Sequence, residues 1–176
     1  IGNDWAIPYS ILSGKHIKSV KEIARKIAEK MQGENWRGIF GIDIVYDEEK
    51  DSINLIEINA RQTAGTTYES ELQMKAREVG VNGISIFEAH VKALLGLPIQ
   101  ESLININDGA QILQRVTGKI KNVNSEKLIK AGYKVIKYSN TANNTDLARI
   151  QSHNGIMEAH NKFNLRGKEI LELLTK

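Results

Sequence analysis

The sequence from Gly38 to Thr67 reads GIFGIDIVYDEEKDSINLIEINARQTAGTT, and it decides how the rest of the chain is interpreted. Residues 38–46 and 52–58 are rich in isoleucine, valine and aromatic residues, a composition typical of β-strands. The acidic segment 47–51 between them has the composition of a turn. This pattern predicts a β-hairpin followed by a polar turn that contains glycine.

One register keeps the isoleucines of this hairpin on a single face. If the turn is centred near Lys50, Ile42 pairs with Ile58 and Ile44 pairs with Ile56. A slip of one residue would turn these side chains toward water, so the apolar pattern favours this pairing. A β-bulge would shift the pairs that lie beyond it.

The other face of the hairpin carries two carboxylates. The same register pairs Asp43 with Glu57 and Gly41 with Asn59, and directly opposed Cβ atoms lie roughly 4.5–5.5 Å apart, where like charges repel. Protonation of one carboxylate, or a cation between the two, would relieve this repulsion. Asn59 and Arg61 continue the same face. Two carboxylates, an amide oxygen and a guanidinium suit Mg²⁺ bound to a polyphosphate.

These residues resemble the metal-binding end of the ATP-grasp superfamily, which includes biotin carboxylase, carbamoyl phosphate synthetase and D-alanine–D-alanine ligase. Residue types, spacing and hairpin context all agree with the family in the series Gly38-x-x-Gly41-x-Asp43, Glu57-x-Asn59-x-Arg61 and Gly65-Thr66. Ala60 stands where many members have proline or threonine, which is a minor departure.

The resemblance implies roles for four residues. Asp43, Glu57 and Asn59 would bind two Mg²⁺ or Mn²⁺ ions, and Glu57 would bridge them. ATP would be the nucleotide cofactor, and Arg61 would be the catalytic residue that contacts the transferred phosphate or the acyl phosphate.

A helix is predicted to begin just past this site. Thr66-x-x-Glu69 matches a capping box, and the helix would run from Thr67 to about Val79. A helix N-terminus favours an anion, and in related ligases the equivalent loop meets the carboxylate substrate or its acyl phosphate. Thr66, Thr67 and Ser70 are therefore candidate substrate contacts, although plain capping accounts for each of them equally well.

The resemblance also implies a domain organisation and a fold class. We expect α+β structure, with residues 1–98 as the C-terminal lobe of an ATP-grasp domain, an antiparallel sheet with helices, and residues 99–176 as a small α+β subdomain. In ATP-grasp proteins the lysines that hold the α- and β-phosphates lie upstream of the stretch matched here. We therefore expect the chain to be part of a longer protein and to be inactive alone.

Other elements are predicted from periodicity and turn signals. Residues 1–18 are interpreted as extended, and an amphipathic helix is predicted from Ser19 to Met31 with Ser19-x-x-Glu22 as its capping box. Arg115 and Arg149 are candidates for contacting a substrate phosphate. The remaining predictions are helices at 84–95, 125–131 and 167–174 and strands at 110–117, 133–138 and 147–153.

The composition sets limits on function. The chain has 176 residues, of which 41% are hydrophobic, so it suffices for one domain or a domain with a small appendage. A net charge of +3 suits anionic ligands, but no basic patch with aromatic residues indicates nucleic-acid binding. Cysteine is absent, which excludes thiolate chemistry, and no apolar run predicts a membrane span. A cytoplasmic location is compatible with these features.

The leading interpretation is an ATP-dependent ligase that activates a carboxylate as an acyl phosphate and joins it to an amine, with amino acids or peptide-like molecules as substrates. One alternative is a carbamoyl-phosphate-synthetase-like or biotin-carboxylase-like enzyme that activates bicarbonate at the same face. Another is a non-catalytic nucleotide-binding module, against which the intact metal-binding set argues. The interpretation involves neither nucleic acid nor membrane, and it is compatible with a homodimer.

Overall fold

The computed structural model describes residues 2–7, 12–159 and 161–175, which form two compact units. Among the described residues, the hairpin unit comprises residues 12–105, and the sheet unit comprises residues 2–7 together with 106–159 and 161–175. The sequence predicted a division after residue 98 with the N-terminal segment in the first domain. In the structure that segment belongs instead with the C-terminal part of the chain.

The described elements confirm the α+β class. In chain order they are β1 (Gly2–Asp4), α1 (Gly14–Gly33), β2 (Gly41–Asp47), β3 (Ser52–Asn59), α2 (Thr66–Glu78), α3 (Ile86–Leu94), β4 (Ala110–Arg115), α4 (Ser125–Lys130), β5 (Lys134–Lys137), β6 (Asp146–Ser152), β7 (Met157–Ala159), β8 (Lys162–Phe163) and α5 (Leu165–Thr175). None of the helices in the described part of the chain has the length and apolar character that crossing a membrane needs.

Helix α1 begins five residues before its predicted start. Its N-cap is Ser13, whose Oγ accepts from the His16 backbone N–H at 3.4 Å, while His16 Nδ1 accepts from the Ser13 backbone N–H at 3.2 Å. The predicted capping box at Ser19 is therefore wrong, as is the extended structure predicted for residues 14–18. Ser19 is in the second turn of the helix, and its Oγ donates to the Lys15 carbonyl at 3.2 Å.

The start of α1 is tied to the turn of the hairpin through Asp51. His16 is 5% exposed, and its Nε2 lies 2.7 Å from Asp51 Oδ1, while Lys15 Nζ lies 3.0 Å from Asp51 Oδ2. Tyr46 stacks near His16, with 4.6 Å between ring centroids, and donates to Asp51 at 3.2 Å. The hydrogen bonds from Lys15 and Tyr46 hold the pKa of Asp51 below its usual value.

The hairpin confirms part of the predicted register. Strands β2 and β3 are antiparallel, and Ile42 pairs with Ile58 as expected. Ile44 pairs with Leu55, so the predicted pairing of Ile44 with Ile56 is wrong. The four-residue turn at 48–51 brings Asp47 opposite Ser52, and this register requires one extra residue in β3, which forms a bulge.

Helices α2 and α3 pack together through buried polar side chains. Gln73, which is 2% exposed, donates to the Ile104 carbonyl at 2.7 Å and accepts from the Ile86 backbone N–H at 2.7 Å. Helix α3 begins with a capping box in which Ser85 is the N-cap and Glu88 is the acidic partner. Helix α2 has Gly65 as its N-cap and no side-chain cap, so the capping box predicted at Thr66 is wrong.

The sheet unit is built on an antiparallel sheet in the order β1-β4-β6-β5. Its apolar core includes Leu128, Ile150 and Ile170, each at most 1% exposed. Short strand β1 is held by the Asp4 carboxylate, which accepts from the backbone N–H groups of Ile156 at 2.7 Å and Met157 at 2.9 Å. The strands and helices predicted beyond residue 109 are all found in this unit.

Candidate functional site

The hairpin brings two carboxylates together on an exposed face. Asp43 and Glu57 are directly opposed across β2 and β3, as the sequence predicted. The Glu57 carboxylate makes no hydrogen bond or ion pair with any residue that the structure describes, and Asp43 accepts one hydrogen bond, from Asn59 Nδ2 at 3.3 Å. Two like charges thus face each other without a protein cation between them, an arrangement that is destabilising unless a cation joins it.

Asn59 and Arg61 extend this face through a chain of hydrogen bonds. Asn59 Nδ2 donates to Asp43, and Asn59 Oδ1 accepts from Arg61 Nη2 at 2.9 Å. Arg61 Nη1 also donates to the Gln62 carbonyl at 3.3 Å. Arg61 therefore holds the amide of Asn59 and leaves the carboxylates un-neutralised. For Asn59 Oδ1 to bind a metal ion, Arg61 would have to turn away.

The donor set fits a magnesium ion shared with phosphate groups. It consists of two carboxylates and one amide oxygen, and in the described part of the chain no group of three or more His, Cys, Asp or Glu residues forms a closed metal site. Mg²⁺ commonly binds through one or two carboxylates and completes its shell with water and phosphate oxygens. Asp43 and Glu57 are the residues that would hold such an ion, and Asn59 Oδ1 would join them only if Arg61 turned away from it.

Close packing fixes the strand that carries Asp43. Gly38 has φ of +96°, a conformation that side chains other than glycine rarely adopt. A Cβ at Gly38 would lie 2.5 Å from His90 Nδ1, and this same nitrogen accepts from the Ile39 backbone N–H at 3.0 Å. At Gly41, a Cβ would lie 2.4 Å from Thr63 Cγ2. Helix α3 and the loop after β3 therefore both approach the backbone of this segment.

The three predicted substrate contacts differ in accessibility. Thr66 is 2% exposed and its Oγ1 lies 3.1 Å from Thr63 Oγ1, while Ser70 is 6% exposed and accepts from the Phe87 backbone N–H at 3.1 Å. Both hydroxyl groups serve packing within the hairpin unit. Thr67 is exposed at the start of α2 and is the one of the three that a ligand can reach in this structure.

A comparison with known families identifies the element that carries this face. Residues 10–65 match the model of the ATP-grasp domain. Over these residues the chain is similar to an ATP-grasp domain. The matched residues include α1 and both strands of the hairpin, and they also include Asp43, Glu57, Asn59 and Arg61. The resemblance drawn from the motif is thereby confirmed.

Solved structures show the same fold over most of the chain. The phosphoribosylaminoimidazole carboxylase ATPase subunit from Aquifex aeolicus matches with a TM-score of 0.59 and 13% identity over 89% of this chain and 43% of its own. N5-carboxyaminoimidazole synthetase from Staphylococcus aureus, complexed with ADP, matches with a TM-score of 0.58 and 14% identity over 88% of this chain and 38% of its own. This chain thus spans about two fifths of these structures. No curated protein matches it by sequence.

The sequence did not reveal the residues that hold the ATP-grasp hairpin in place. His16 lies in the segment predicted to be extended and His90 lies in the helix predicted over residues 84–95, yet each contacts a residue distant in the chain. His90 contacts Ile39 across 51 positions, and no local pattern reports such a contact. The glycines at 38 and 41 were the available signal, because a glycine in a strand often marks close backbone approach.

Proposed function

We propose that this chain is part of an ATP- and Mg²⁺-dependent ligase that activates a carboxylate as an acyl phosphate and joins it to an amine. The observation that carries the proposal is the unpaired cross-strand pair Asp43 and Glu57, within a segment that matches the ATP-grasp domain. The ADP in one structural neighbour supports nucleotide binding in proteins of this fold.

The residues of this face would divide the work between binding and charge stabilisation. The magnesium ion, when bound, neutralises charge on the β- and γ-phosphates during phosphoryl transfer. Asp43 and Glu57 would hold that ion, and Asn59 would orient Arg61 by accepting its Nη2–H. Arg61 would then pair with the oxygens of the transferred phosphoryl group in a fork geometry.

The proposed reaction consists of two successive transfers, first of a phosphoryl group and then of an acyl group. A carboxylate oxygen of the substrate attacks the γ-phosphorus, the bond to the β-phosphate oxygen breaks, and ADP leaves. The amine then attacks the carbon of the acyl phosphate, inorganic phosphate leaves, and the nitrogen loses a proton. Positioning and electrostatic stabilisation suffice for both steps. We propose amino acids or peptide-like molecules as the substrates.

Activation of bicarbonate is the second candidate. It would use the same carboxylates and the same arginine, with bicarbonate in place of the organic carboxylate. The observation that favours it is that the structural neighbours are named as a carboxylase ATPase subunit and a carboxyaminoimidazole synthetase.

ADP release by the full-length protein tests the proposal. We would measure it with Mg²⁺ and ATP across amino acids, other carboxylates and bicarbonate, each with and without an amine. Release that depends on both a carboxylate and an amine, and that is lost in Glu57→Gln, would support the ligase. Release that depends on bicarbonate would select the second candidate. Normal turnover in Glu57→Gln would contradict the assigned site, and nucleotide binding without turnover across the panel would favour a non-catalytic module.

A further inference from the structure

Two asparagine–glycine pairs in this chain have the same neighbour and the same exposure. Residues 82–84 and 154–156 both read Asn-Gly-Ile, and in each the asparagine is exposed, the glycine is half-buried and the isoleucine is 4% exposed. An Asn-Gly pair can rearrange, because the glycine nitrogen attacks Cγ of the asparagine side chain and ammonia leaves. Glycine has no side chain to hinder this approach. A difference in reactivity between the two pairs must therefore come from their contacts.

The pair Asn154-Gly155 is restrained by a carboxylate that binds both reacting groups. Asp108 Oδ1 accepts from the Gly155 backbone N–H at 2.6 Å, and Asp108 Oδ2 accepts from Asn154 Nδ2 at 3.1 Å. The glycine nitrogen attacks after its N–H loses a proton, and the adjacent carboxylate disfavours the anion that results. The bond to Nδ2 also fixes the side-chain amide. This pair should therefore react only when the segment opens.

The pair Asn82-Gly83 lacks these restraints. Neither the Asn82 side-chain amide nor the Gly83 backbone N–H makes a hydrogen bond with any residue that the structure describes. The residues on either side are anchored, since the backbone N–H groups of Val81 and Ile84 each donate to a carbonyl at 3.0 Å. The pair is thus a short connector between two fixed points. Its exposed side chain is free to turn toward the glycine nitrogen.

The products of this rearrangement differ in how well they fit the structure. Water opens the succinimide ring to aspartate, which keeps the normal backbone, or to isoaspartate, whose backbone is longer by one carbon atom. Gly83 has φ of +140°, and a Cβ there would lie 2.6 Å from the Ser102 carbonyl oxygen and 2.8 Å from Ile104 Cγ1. With so little room at Gly83, the added atom must displace the hydrogen bond from the Ile84 N–H to the Ser102 carbonyl.

We infer that Asn82 is a site of spontaneous deamidation, and that its isoaspartyl product weakens the hydrogen bond between Ile84 and Ser102 just before helix α3. Water is the only co-reactant, so the inference does not depend on the proposed ligase activity. Helix α3 also carries His90, which accepts from the Ile39 backbone N–H ahead of the hairpin. The modification therefore acts on the element that packs against the segment leading to Asp43.

Peptide mapping of the wild-type protein tests the site directly. The protein is incubated at mildly alkaline pH, digested at intervals, and its asparagine, aspartate and isoaspartate peptides are separated by chromatography and identified by mass spectrometry. Asn82 should convert at least about tenfold faster than Asn154, which reacts only through local opening. In urea the two rates should become similar, because the tripeptides are identical. A rate at Asn82 no greater than at Asn154 in the folded protein, or a preference that persists unchanged in urea, would overturn the inference.

Asp108→Ala tests whether the carboxylate accounts for the difference. It frees the Gly155 N–H and the Asn154 amide, so Asn154 should convert faster, while the rate at Asn82 should not change. Unchanged conversion of Asn154 in a folded Asp108→Ala protein would contradict the proposed protection. If this variant does not fold, the comparison of the two pairs in the wild type decides.

Amide hydrogen exchange tests the effect of the isoaspartyl product. The Ile84 N–H should exchange faster in the purified isoaspartyl form than in the wild type. Freshly prepared Asn82→Asp is the matched control, because it adds the negative charge without the extra backbone atom, and it should exchange like the wild type. Equal exchange in the isoaspartyl form and in Asn82→Asp would overturn this part of the inference.

Discussion

At the scale of single residues, the account depends on two side chains whose pairing is unfavourable in the protein alone. Asp43 and Glu57 oppose each other, and neither has a cationic partner among the described residues. Exposed carboxylates with no structural task are ordinary on a protein surface. A directly opposed pair of carboxylates is less common, because their repulsion destabilises the fold unless a bound ligand offsets it. We therefore propose that the pair binds a metal ion.

The role of Asn59 in orienting Arg61 can be tested by substitution. Asn59→Ala removes the hydrogen bonds to Asp43 and Arg61 but no buried contact, so the free energy of unfolding should change by less than about 1 kcal/mol. The rate of ADP release should fall by about 100-fold, because Arg61 loses the group that orients it. Steady-state kinetics and urea unfolding measure the two effects. Asn54→Ala, on the same strand, is the matched control, and equal rates in both variants would contradict the role of Asn59.

At the scale of elements, the hairpin is held by contacts that begin far away in the chain. His16 of helix α1 contacts Asp51 in the turn of the hairpin. His90 of helix α3 accepts a hydrogen bond from the backbone N–H of Ile39, just before the first strand of the hairpin. These contacts position β2, which carries Asp43. The hairpin alone would be only marginally stable, since two strands rarely suffice in water.

Gly38 provides a test of this packing. Gly38→Ala forces a side chain into a backbone with φ of +96° and places its Cβ against His90. We expect a loss of about 1–3 kcal/mol in the free energy of unfolding, measured in urea. Gly33→Ala is the control, because a Cβ at this helical glycine meets nothing within 4 Å and should stabilise slightly. Equal effects in the two variants would contradict the close approach of His90.

The capping of helix α3 by Glu88 predicts how the stability of the fold depends on pH. The Arg77 side chain, and then the backbone N–H of Ser85, hold the pKa of Glu88 down to about 2. A carboxylate with a depressed pKa stabilises the fold above its ordinary pKa of 4.5, and that stabilisation is lost as the pH falls from there toward 2. At pH 6, Glu88→Gln should cost about 1 kcal/mol of capping energy. Below pH 3 the difference between wild type and Glu88→Gln in urea unfolding should shrink; a constant difference would contradict the assignment.

The sequence predicted elements better than it predicted their ends. Local alternation located both strands of the hairpin, and the placement of Asp43 opposite Glu57 followed from it. The predicted cap of α1 was wrong because Ser13 and Ser19 are both candidate caps and only the folded chain decides between them. The capping box predicted for α2 was wrong because that helix has Gly65 as its N-cap and no side-chain cap. The Ile44 pairing was wrong because the turn length, which sets the register, was not readable from composition.

At the scale of the whole molecule, the chain forms two units. Which segments belong to each unit depends on strands that pair across long distances in the sequence. Strand β1 joins the sheet unit by pairing with β4, more than a hundred residues away. A sequence-based division at residue 98 could not anticipate this, because three residues of strand carry no signal of their partner. The residues proposed to bind metal, Asp43, Glu57 and Asn59, all lie in the hairpin unit.

Asp4 tests how the N-terminal segment is held in the sheet unit. Its carboxylate accepts four backbone N–H groups, those of Ala6, Ile7, Ile156 and Met157. Asp4→Ala should therefore cost about 2–4 kcal/mol and accelerate amide hydrogen exchange in β4 and β6. Asn3→Ala, at an exposed neighbouring position, should leave exchange unchanged. Unaltered exchange in Asp4→Ala would show that the carboxylate does not hold this segment.

The central claim is that Asp43 and Glu57 bind a divalent cation, and paramagnetic broadening by Mn²⁺ tests it most directly. Titration of the ¹⁵N-labelled chain should broaden the amide resonances of residues 41–45 and 55–59 first, with weak affinity because only two carboxylates contribute. In Glu57→Gln this broadening should require about tenfold more Mn²⁺, while Glu49→Gln in the turn should behave as the wild type. Broadening of the hairpin that persists unchanged in Glu57→Gln, or that is confined to other parts of the chain, would contradict the account.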